Sequence, residues 1–227
     1  FSTRWYGALL QNEALLSALT NSLIVAFLPA TLAVVIGTAA ALGLTRLGRF
    51  RGRTTLSVLT TTPLVMPEVM LGLSALLLFV TLQQLFGWPS QRGIATITIA
   101  HVVLCSCYVT VIVQSRLRQM DDSLEEAAMD LGAKPWKVFF LITLPLIAPA
   151  LLAGWLLAFT LSLDDLVVAS FTSGPGATTL PMEVYSRVRL GLSPEINALA
   201  TLIIGFVGFA LLVTWLVYRR QDRKLPA

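Results

Sequence analysis

Charged side chains are scarce in this sequence. Asp, Glu, Lys and Arg make up only 12% of its 227 residues, whereas a soluble domain usually carries about 25%. Hydrophobic residues make up 56%, and the mean hydropathy is +0.80. Such a deficit of charge indicates that most of the protein surface faces lipid rather than water.

Histidine and cysteine are nearly absent as well. His101 is the single histidine, and because a metal site usually needs several ligands close together, we expect no bound metal. Cys105 and Cys107 are two positions apart in an apolar run, where a helix would point them to different sides. We therefore expect two small buried side chains rather than a disulfide.

Several catalytic and binding signatures are missing. None of the three lysines follows a glycine, so there is no phosphate-binding G-x-x-x-x-G-K-[ST] loop. There is no H-E-x-x-H signature either, which together with the single histidine argues against an intramembrane hydrolase. The basic residues form no face interleaved with aromatics, which argues against nucleic acid as a partner. We expect a protein that is not an enzyme and that holds no cofactor of its own.

Long apolar runs dominate what is present. A membrane-spanning helix needs about 20 mainly apolar residues, and five segments qualify. They predict an all-α, polytopic membrane protein that forms a single transmembrane domain over residues 1–227. The predicted spans are 18–44, 56–82, 94–113, 146–171 and 196–218.

Basic residues are distributed unevenly among the connections between these spans. Twelve of the sixteen lie in loop 45–55, in segment 114–145 and in the C-terminal tail, which alternating spans place on one side. Cytoplasmic loops carry the excess of Lys and Arg, so we expect the C-terminus in the cytoplasm and the N-terminus outside. An outside N-terminus is unusual without an upstream helix. We therefore also expect a further span before Phe1, which would make six.

A polar island interrupts the apolar runs, and its pattern predicts two helices joined by a sharp turn. Ser123-Leu124-Glu125-Glu126 has the form of a capping box, with acidic side chains at the positive end of the helix dipole. Gly132 suits a left-handed helix stop, and Pro135 suits the first position of a following helix. The predicted elements are an insertion at about 121–144, a helix over 124–131 and a second helix over 135–143.

The surface of the first predicted helix indicates what it binds. Ala127, Ala128 and Leu131 would form a small apolar face that another backbone can approach closely. The alternative is an interfacial helix that lies on the bilayer. Anionic headgroups would repel the nearby carboxylates, which favours a groove on a soluble protein instead. These carboxylates belong to Asp121, Asp122, Glu125, Glu126 and Asp130.

The spacing of residues in the island forms a specific motif. Glu126-Ala127-Ala128 is followed after three residues by Gly132, and after nine more by Ile142-x-Leu144-Pro145. This motif resembles the signature loop of permease subunits of bacterial ATP-binding cassette importers, and the resemblance covers essentially the whole chain. It implies a type I importer transmembrane domain whose coupling helix enters a groove on a cytoplasmic ATPase, the subunit that binds ATP and Mg²⁺. The implied docking residues are Glu125, Glu126, Ala127, Ala128, Asp130, Leu131 and Gly132.

Three carboxylates lie within the predicted spans, where ionisable groups are costly and usually functional. Asp164 and Asp165 lie toward the outer end of their span. We expect one of them to face a substrate pathway while the other caps a helix or pairs nearby. Glu68 follows two prolines, Pro63 and Pro67, which are expected to break the helix near mid-membrane. A carboxylate at a broken helix indicates that Glu68 also belongs to the substrate pathway.

These acids also allow other interpretations. The aspartates could be helix-end acids bonded to backbone or to Arg189, and Glu68 could pack against a neighbouring hydroxyl group. A different functional alternative is an autonomous secondary transporter of a cationic solute, in which the three carboxylates carry protons or Na⁺. That alternative leaves the polar island unexplained.

Three segments narrow the substrate by resemblance. Residues 162–167 (SLDDLV), 173–181 (SGPGATTLP) and 193–201 (SPEINALAT) resemble the polyamine importer permeases, and most closely the putrescine-type subunit. The resemblance implies putrescine, spermidine or a related polyamine as substrate, and a location in the bacterial inner membrane. It also implies a second, related permease, two copies of a cytoplasmic ATPase and a periplasmic polyamine-binding protein as partners.

Overall fold

Helices account for all regular structure in the described part of the chain. The computed structural model describes residues 4–191, 197–198, 200–202 and 204–205, without the side chain of residue 10. The helices in chain order are α1 (Arg4–Gln11), α2 (Glu13–Arg46), α3 (Arg53–Val65), α4 (Glu68–Phe86), α5 (Ile94–Gln119), α6 (Ser123–Asp130), α7 (Pro135–Val138), α8 (Leu144–Asp164), α9 (Val167–Thr172) and α10 (Leu180–Leu190). A π-helical turn at Phe139–Thr143 joins α7 to α8.

Four helical stretches among the described residues are long and apolar enough to cross a membrane. They are Glu13–Arg46, Glu68–Phe86, Ile94–Gln119 and Pro135–Asp164. The predicted all-α membrane fold is therefore confirmed, and each of the first four predicted spans overlaps one of these stretches. The fifth predicted span, 196–218, lies largely outside the described residues.

The second predicted span is interrupted. Residues 56–82 were expected to form one span with breaks at both prolines, but α3 runs through Pro63 and ends at Val65. The chain is then extended at Met66, with ψ at 140°, and α4 begins directly after Pro67. The break lies at Pro67 alone, because proline disfavours the α conformation of the residue before it.

The fourth predicted span, 146–171, differs at both ends from the helix of the structure. Its helix begins at Pro135, because α7, the π-helical turn and α8 are continuous, and Pro145 lies in the first turn of α8, where its missing N–H is tolerated. Its helix ends at Asp164, because the backbone at Asp165 is extended, with ψ at 127°. The short helix α9 follows as a separate element.

Small side chains allow the central helices to pack closely. A Cβ atom added at Gly37 of α2 would lie 2.8 Å from the Cβ of Val109 in α5, so only glycine fits there. Close approach of backbones at small residues is how helices associate in lipid. Both cysteines are buried and unpaired, as the sequence predicts. The core consists of Ala30, Ala33, Ala41, Cys105, Val109, Val113, Leu117, Ile147 and Ala158.

Internal contacts divide the chain into two compact units. The larger unit is Ala18–Met182 and contains the helices from most of α2 to α9. The smaller unit groups Phe1–Ser17 with Glu183–Ala227. In the smaller unit, Arg187 donates to Glu183 at 2.7 Å and to the side-chain oxygen of Asn12 at 3.2 Å. Both candidate sites described below lie within the larger unit.

Candidate functional site

The polar island begins with a different cap from the predicted one. Helix α6 starts at Ser123, one residue earlier than expected. The prediction of a capping box is therefore wrong, because Ser123 lies in the first turn of the helix and not at its N-cap. Asp121 accepts the backbone N–H of Ser123 at 3.0 Å instead. This hydrogen bond favours the ionised carboxylate and lowers the pKa of Asp121.

The end of α6 agrees with the sequence prediction. Gly132 has a φ of +85°, the left-handed conformation that favours glycine. Its N–H donates to the carbonyl of Met129 at 2.8 Å, and the N–H of Ala133 donates to that of Ala128 at 3.1 Å. This pair of bonds is a Schellman motif, which satisfies carbonyls that the helix end would leave unpaired. Pro135 then opens α7 at its first position, also as predicted.

The outer face of α6 presents apolar side chains to its surroundings. Leu131 is 91% exposed, and Leu124 and Met129 are 48% and 44% exposed. Ala127 is exposed between them, whereas Ala128 is half-buried. Glu126, Asp130 and Gly132 are exposed as well. Six of the eight residues of α6 are thus exposed, and with Leu131 they form a surface that has a small apolar centre and acidic edges.

Glu125 faces the body of the protein. It is half-buried, and its carboxylate forms an ion pair with Arg46, whose Nε lies 3.1 Å away. The carboxylate also accepts hydrogen bonds from Arg46 Nη2 at 3.4 Å and from the hydroxyl of Thr143 at 2.7 Å. Arg46 also forms an ion pair with Asp122. Because Arg46 ends α2 and Thr143 ends the π-helical turn, α6 is fixed to two membrane spans. The sequence analysis counted Arg46 only as a topology charge and missed Thr143.

A second site lies where the broken helices meet. A cavity of about 360 Å³ is enclosed by the ends of α3, α4, α8 and α9 and by the middle of α5. All three predicted intramembrane carboxylates, Glu68, Asp164 and Asp165, line this cavity. The other lining residues are Pro63, Leu64, Met66, Leu71, Leu104, Tyr108, Leu161, Leu166 and Val167.

The two adjacent aspartates differ in their surroundings. Asp165 accepts the backbone N–H groups of Val168 at 3.3 Å and of Ala169 at 2.7 Å, so it caps the start of α9. Its carboxylate also lies 3.1 Å from the Nε2 atom of His101. Asp164, by contrast, is exposed at the end of α8 and has no hydrogen-bond or ion-pair partner within the described residues.

Glu68 is the first residue of α4 and is exposed toward the cavity. Among the described residues it bonds to no hydroxyl group, which was the ordinary alternative for this side chain.

His101 is the residue of this site that the sequence analysis missed. Its ring is only 2% exposed and lies between Asp165 and Ser162, with Nδ1 2.5 Å from the serine Oγ. The sequence analysis considered this histidine as a metal ligand and as a hydrolase residue, and not as a partner of Asp165. The described residues contain no group of three side chains that could hold a metal ion. Its position inside an apolar helix was the available signal, since buried ionisable groups in membrane spans rarely lack a partner.

Comparison with known proteins identifies the family. Residues 14–225 match the model of the family described as "binding-protein-dependent transport system inner membrane component". The chain belongs to this family. It is therefore a multi-pass transport subunit of an inner membrane importer, as its motif and apolar spans predict, and its relatives are transport permeases rather than enzymes.

Individual permeases resemble the chain over nearly its whole length. It is 59% identical over 224 residues to the putrescine transport system permease protein PotI of Escherichia coli K12, covering 99% of this chain and 80% of that protein. It is 42% identical over 204 residues to the spermidine/putrescine transport system permease protein PotC of the same organism, covering 90% and 75%.

Solved structures agree on the fold of this permease. A chain of the MetNI methionine ABC transporter, in an inward-facing conformation, superposes with a TM-score of 0.68 at 15% identity, covering 97% of this chain and 99% of that one. A chain of a bacterial importer of alginate gives 0.64 at 18% identity, covering 98% and 79%. These similarities confirm the predicted importer fold, and the family overturns the alternative of an autonomous secondary transporter. Permeases of this family work with a binding protein, a partner permease and an ATPase.

Proposed function

We propose that the chain is the permease subunit of an ATP-driven importer of putrescine or a related polyamine. The observation that carries this proposal is the 59% identity to a putrescine permease over 99% of the chain. On this proposal residues 1–227 form one permease domain, with the segment 121–144 as its coupling insertion.

The chemistry of the intramembrane cavity supports a polyamine. Putrescine and spermidine are flexible chains with several ammonium groups, and carboxylates are the side chains that attract them. Glu68, Asp164 and Asp165 line one cavity beside broken helices, which is where transporters form polar sites at membrane depth. The apolar side chains that share the cavity suit the methylene segments between the ammonium groups.

The proposed assembly contains several other subunits. A second, related permease supplies the other half of the pathway, and two copies of a cytoplasmic ATPase bind ATP and Mg²⁺. A periplasmic polyamine-binding protein delivers the substrate, and lipid surrounds the spans. The excess of Lys and Arg in loop 45–55, segment 114–145 and the tail supports a cytoplasmic C-terminus, and α6 would then lie on the same side of the membrane as the ATPase.

The geometry of α6 indicates how the ATPase would drive transport. The exposed Leu131 and Ala127 would enter a groove of the ATPase, with Glu126, Ala128, Asp130 and Gly132 at its edge. Glu125 would hold α6 to the membrane domain through Arg46 and Thr143. Closure of the two ATPases would move α6, and these contacts would transmit the movement into α2 and α8, opening the cavity to the outside.

Uptake competition tests the proposed substrate. Cells that express the complete complex, and lack other polyamine importers, should take up radiolabelled putrescine. Unlabelled putrescine and spermidine should compete, while arginine and the monoamine butylamine should not. Cells with the same complex but without this chain serve as the control. Uptake that is unaffected by excess polyamine, or equal in the control cells, would contradict the proposal.

A further inference from the structure

A chain of hydrogen bonds links four helices beside the cavity. Asp165 lies 3.1 Å from His101 Nε2, and His101 Nδ1 lies 2.5 Å from Ser162 Oγ. Ser162 in turn donates its hydroxyl to the carbonyl of Val25 at 2.6 Å. The chain therefore runs from the start of α9 through α5 and α8 to α2.

The direction of the last bond is fixed by chemistry. A carbonyl oxygen only accepts hydrogen bonds, so the single hydroxyl proton of Ser162 is used on Val25. That carbonyl needs a donor, because its usual helical partner would be the N–H of residue 29, and Pro29 has none. Pro29 is fully buried, so water does not replace the missing donor.

The protonation of the His101 ring then follows from counting the donors and acceptors around it. Since the Ser162 proton is already used, Nδ1 of His101 must donate to the serine oxygen. The contact between Nε2 and Asp165 Oδ2 requires one more proton, on either the nitrogen or the oxygen. If the proton is on the nitrogen, the pair is imidazolium and carboxylate; if it is on the oxygen, both groups are neutral.

From this count we infer that His101 and Asp165 together carry no net charge, whichever atom holds the shared proton. His101 is thus a positioning residue: it holds Asp165 in place at the start of α9 and cancels its charge. The cavity then presents two uncompensated carboxylates, Glu68 and Asp164, and none of the residues that line it is lysine or arginine.

Two carboxylates match the two ammonium groups of a diamine. This match bears on substrate preference only if the cavity receives a polyamine, so the inference rests on the proposed function. A cavity with a third free carboxylate would instead favour substrates with a third positive charge, such as spermidine. We therefore assign to His101 a part in the preference of the transporter for a diamine over a triamine.

Two variants of the complete complex test this assignment. His101→Gln retains a donor toward Asp165 but removes the ionisable ring, which leaves the carboxylate with an uncompensated charge. Vmax/KM for spermidine relative to putrescine should rise by roughly 3- to 10-fold, the scale of one added unit charge about 4 Å away when water in the cavity screens it. The double variant His101→Gln/Asp165→Asn removes the added charge and should return the ratio toward that of the unmodified complex.

A role in folding alone would give a different result. It would lower the uptake of both substrates by the same factor in His101→Gln and would not be reversed by Asp165→Asn. An unchanged ratio in His101→Gln, or no recovery in the double variant, overturns the assignment of specificity. Amounts of assembled complex, measured by purification through a tagged ATPase, normalise each rate.

The proton count has a test that needs no substrate. His101 is the only histidine of the chain, so the difference between ¹⁵N-histidine solid-state NMR spectra of the unmodified and His101→Gln complexes isolates its ring. We expect a protonated Nδ1 and a proton shared between Nε2 and Asp165. A neutral ring with a bare Nδ1 overturns the inference. If the unmodified complex transports no polyamine, the proposed function fails while this spectrum still decides the charge of the pair.

Discussion

Pro29 leaves one buried carbonyl of α2 without its helical donor, and a single serine from another span supplies the replacement. The hydroxyl of Ser162 reaches the carbonyl of Val25 at 2.6 Å and is itself buried. A proline inside a membrane helix is tolerated where a neighbouring side chain satisfies the freed backbone group. One hydroxyl therefore stabilises the packing of α8 against α2.

We expect Ser162→Ala to destabilise the protein by about 1–3 kcal/mol, because it leaves buried polar groups at Val25 and His101 unsatisfied. The apparent midpoint of thermal unfolding of the purified complex measures the effect. Ser170→Ala is the matched control, since Ser170 is exposed and bonds only within its own helix turn. Equal midpoints for the two variants would contradict this explanation.

Arg46 is the second residue whose effect extends beyond its own helix. Arg46→Ala removes the ion pairs to Asp122 and Glu125 that fix α6 to α2. We expect Vmax for uptake to fall severalfold while KM stays unchanged, because the cavity is intact but the movement of α6 is poorly transmitted. Arg49→Ala is the control: Arg49 is exposed and has no partner among the described residues. A raised KM with an unchanged Vmax would argue against this role.

At the scale of elements, the exposed surface of helix α6 depends on the turn that ends the helix as much as on the residues within it. Its Schellman motif requires the left-handed conformation at Gly132, and it directs the chain into α7 within three residues. The exposed Leu131 stands immediately before this turn. A change at the turn is therefore expected to alter the shape of the surface that we propose the ATPase binds.

We expect Gly132→Asp to abolish uptake, because it strains the turn and adds charge beside the docking surface. Glu126→Lys should do the same by reversing a charge at the edge of that surface. The measurements are uptake and substrate-stimulated ATP turnover of complexes that still assemble in the membrane. Gly48→Asp is the control, since Gly48 has a comparable φ of +61° but lies outside the island. Normal coupling in either α6 variant would refute the docking role.

The sequence predicts these elements well where one local rule acts alone. The stop at Gly132 and the start at Pro135 each follow from the backbone preference of one residue, and both are confirmed. The prediction fails where tertiary contacts decide the outcome. One of the two aspartates was expected to cap a helix or pair nearby, and Asp165 does both, but its partner His101 comes from a distant helix that no local pattern shows. Glu125 likewise turns inward only because Arg46 and Thr143 come from distant segments.

At the scale of the whole molecule, permeases of this family work with a separate ATPase, so we expect transport to be driven by another subunit. We expect the purified chain in liposomes to take up no putrescine under a proton or Na⁺ gradient. The complete complex with binding protein and ATP should take it up under the same conditions. Gradient-driven uptake by the chain alone would restore the secondary-transporter alternative. Liposomes with the complex and a non-hydrolysable ATP analogue provide the control.

The π-helical turn at Phe139–Thr143 sets the angle by which the segments before it are rotated about the axis of α8. The N–H of Leu144 bonds to the carbonyl of Phe139, five residues back instead of four. One residue is thus added to the turn, and each residue of an α-helix corresponds to about 100° of rotation. Deleting a single residue here would leave a regular, equally apolar helix. It would also turn everything before it, including Pro135 and helix α6, by about that angle away from Arg46.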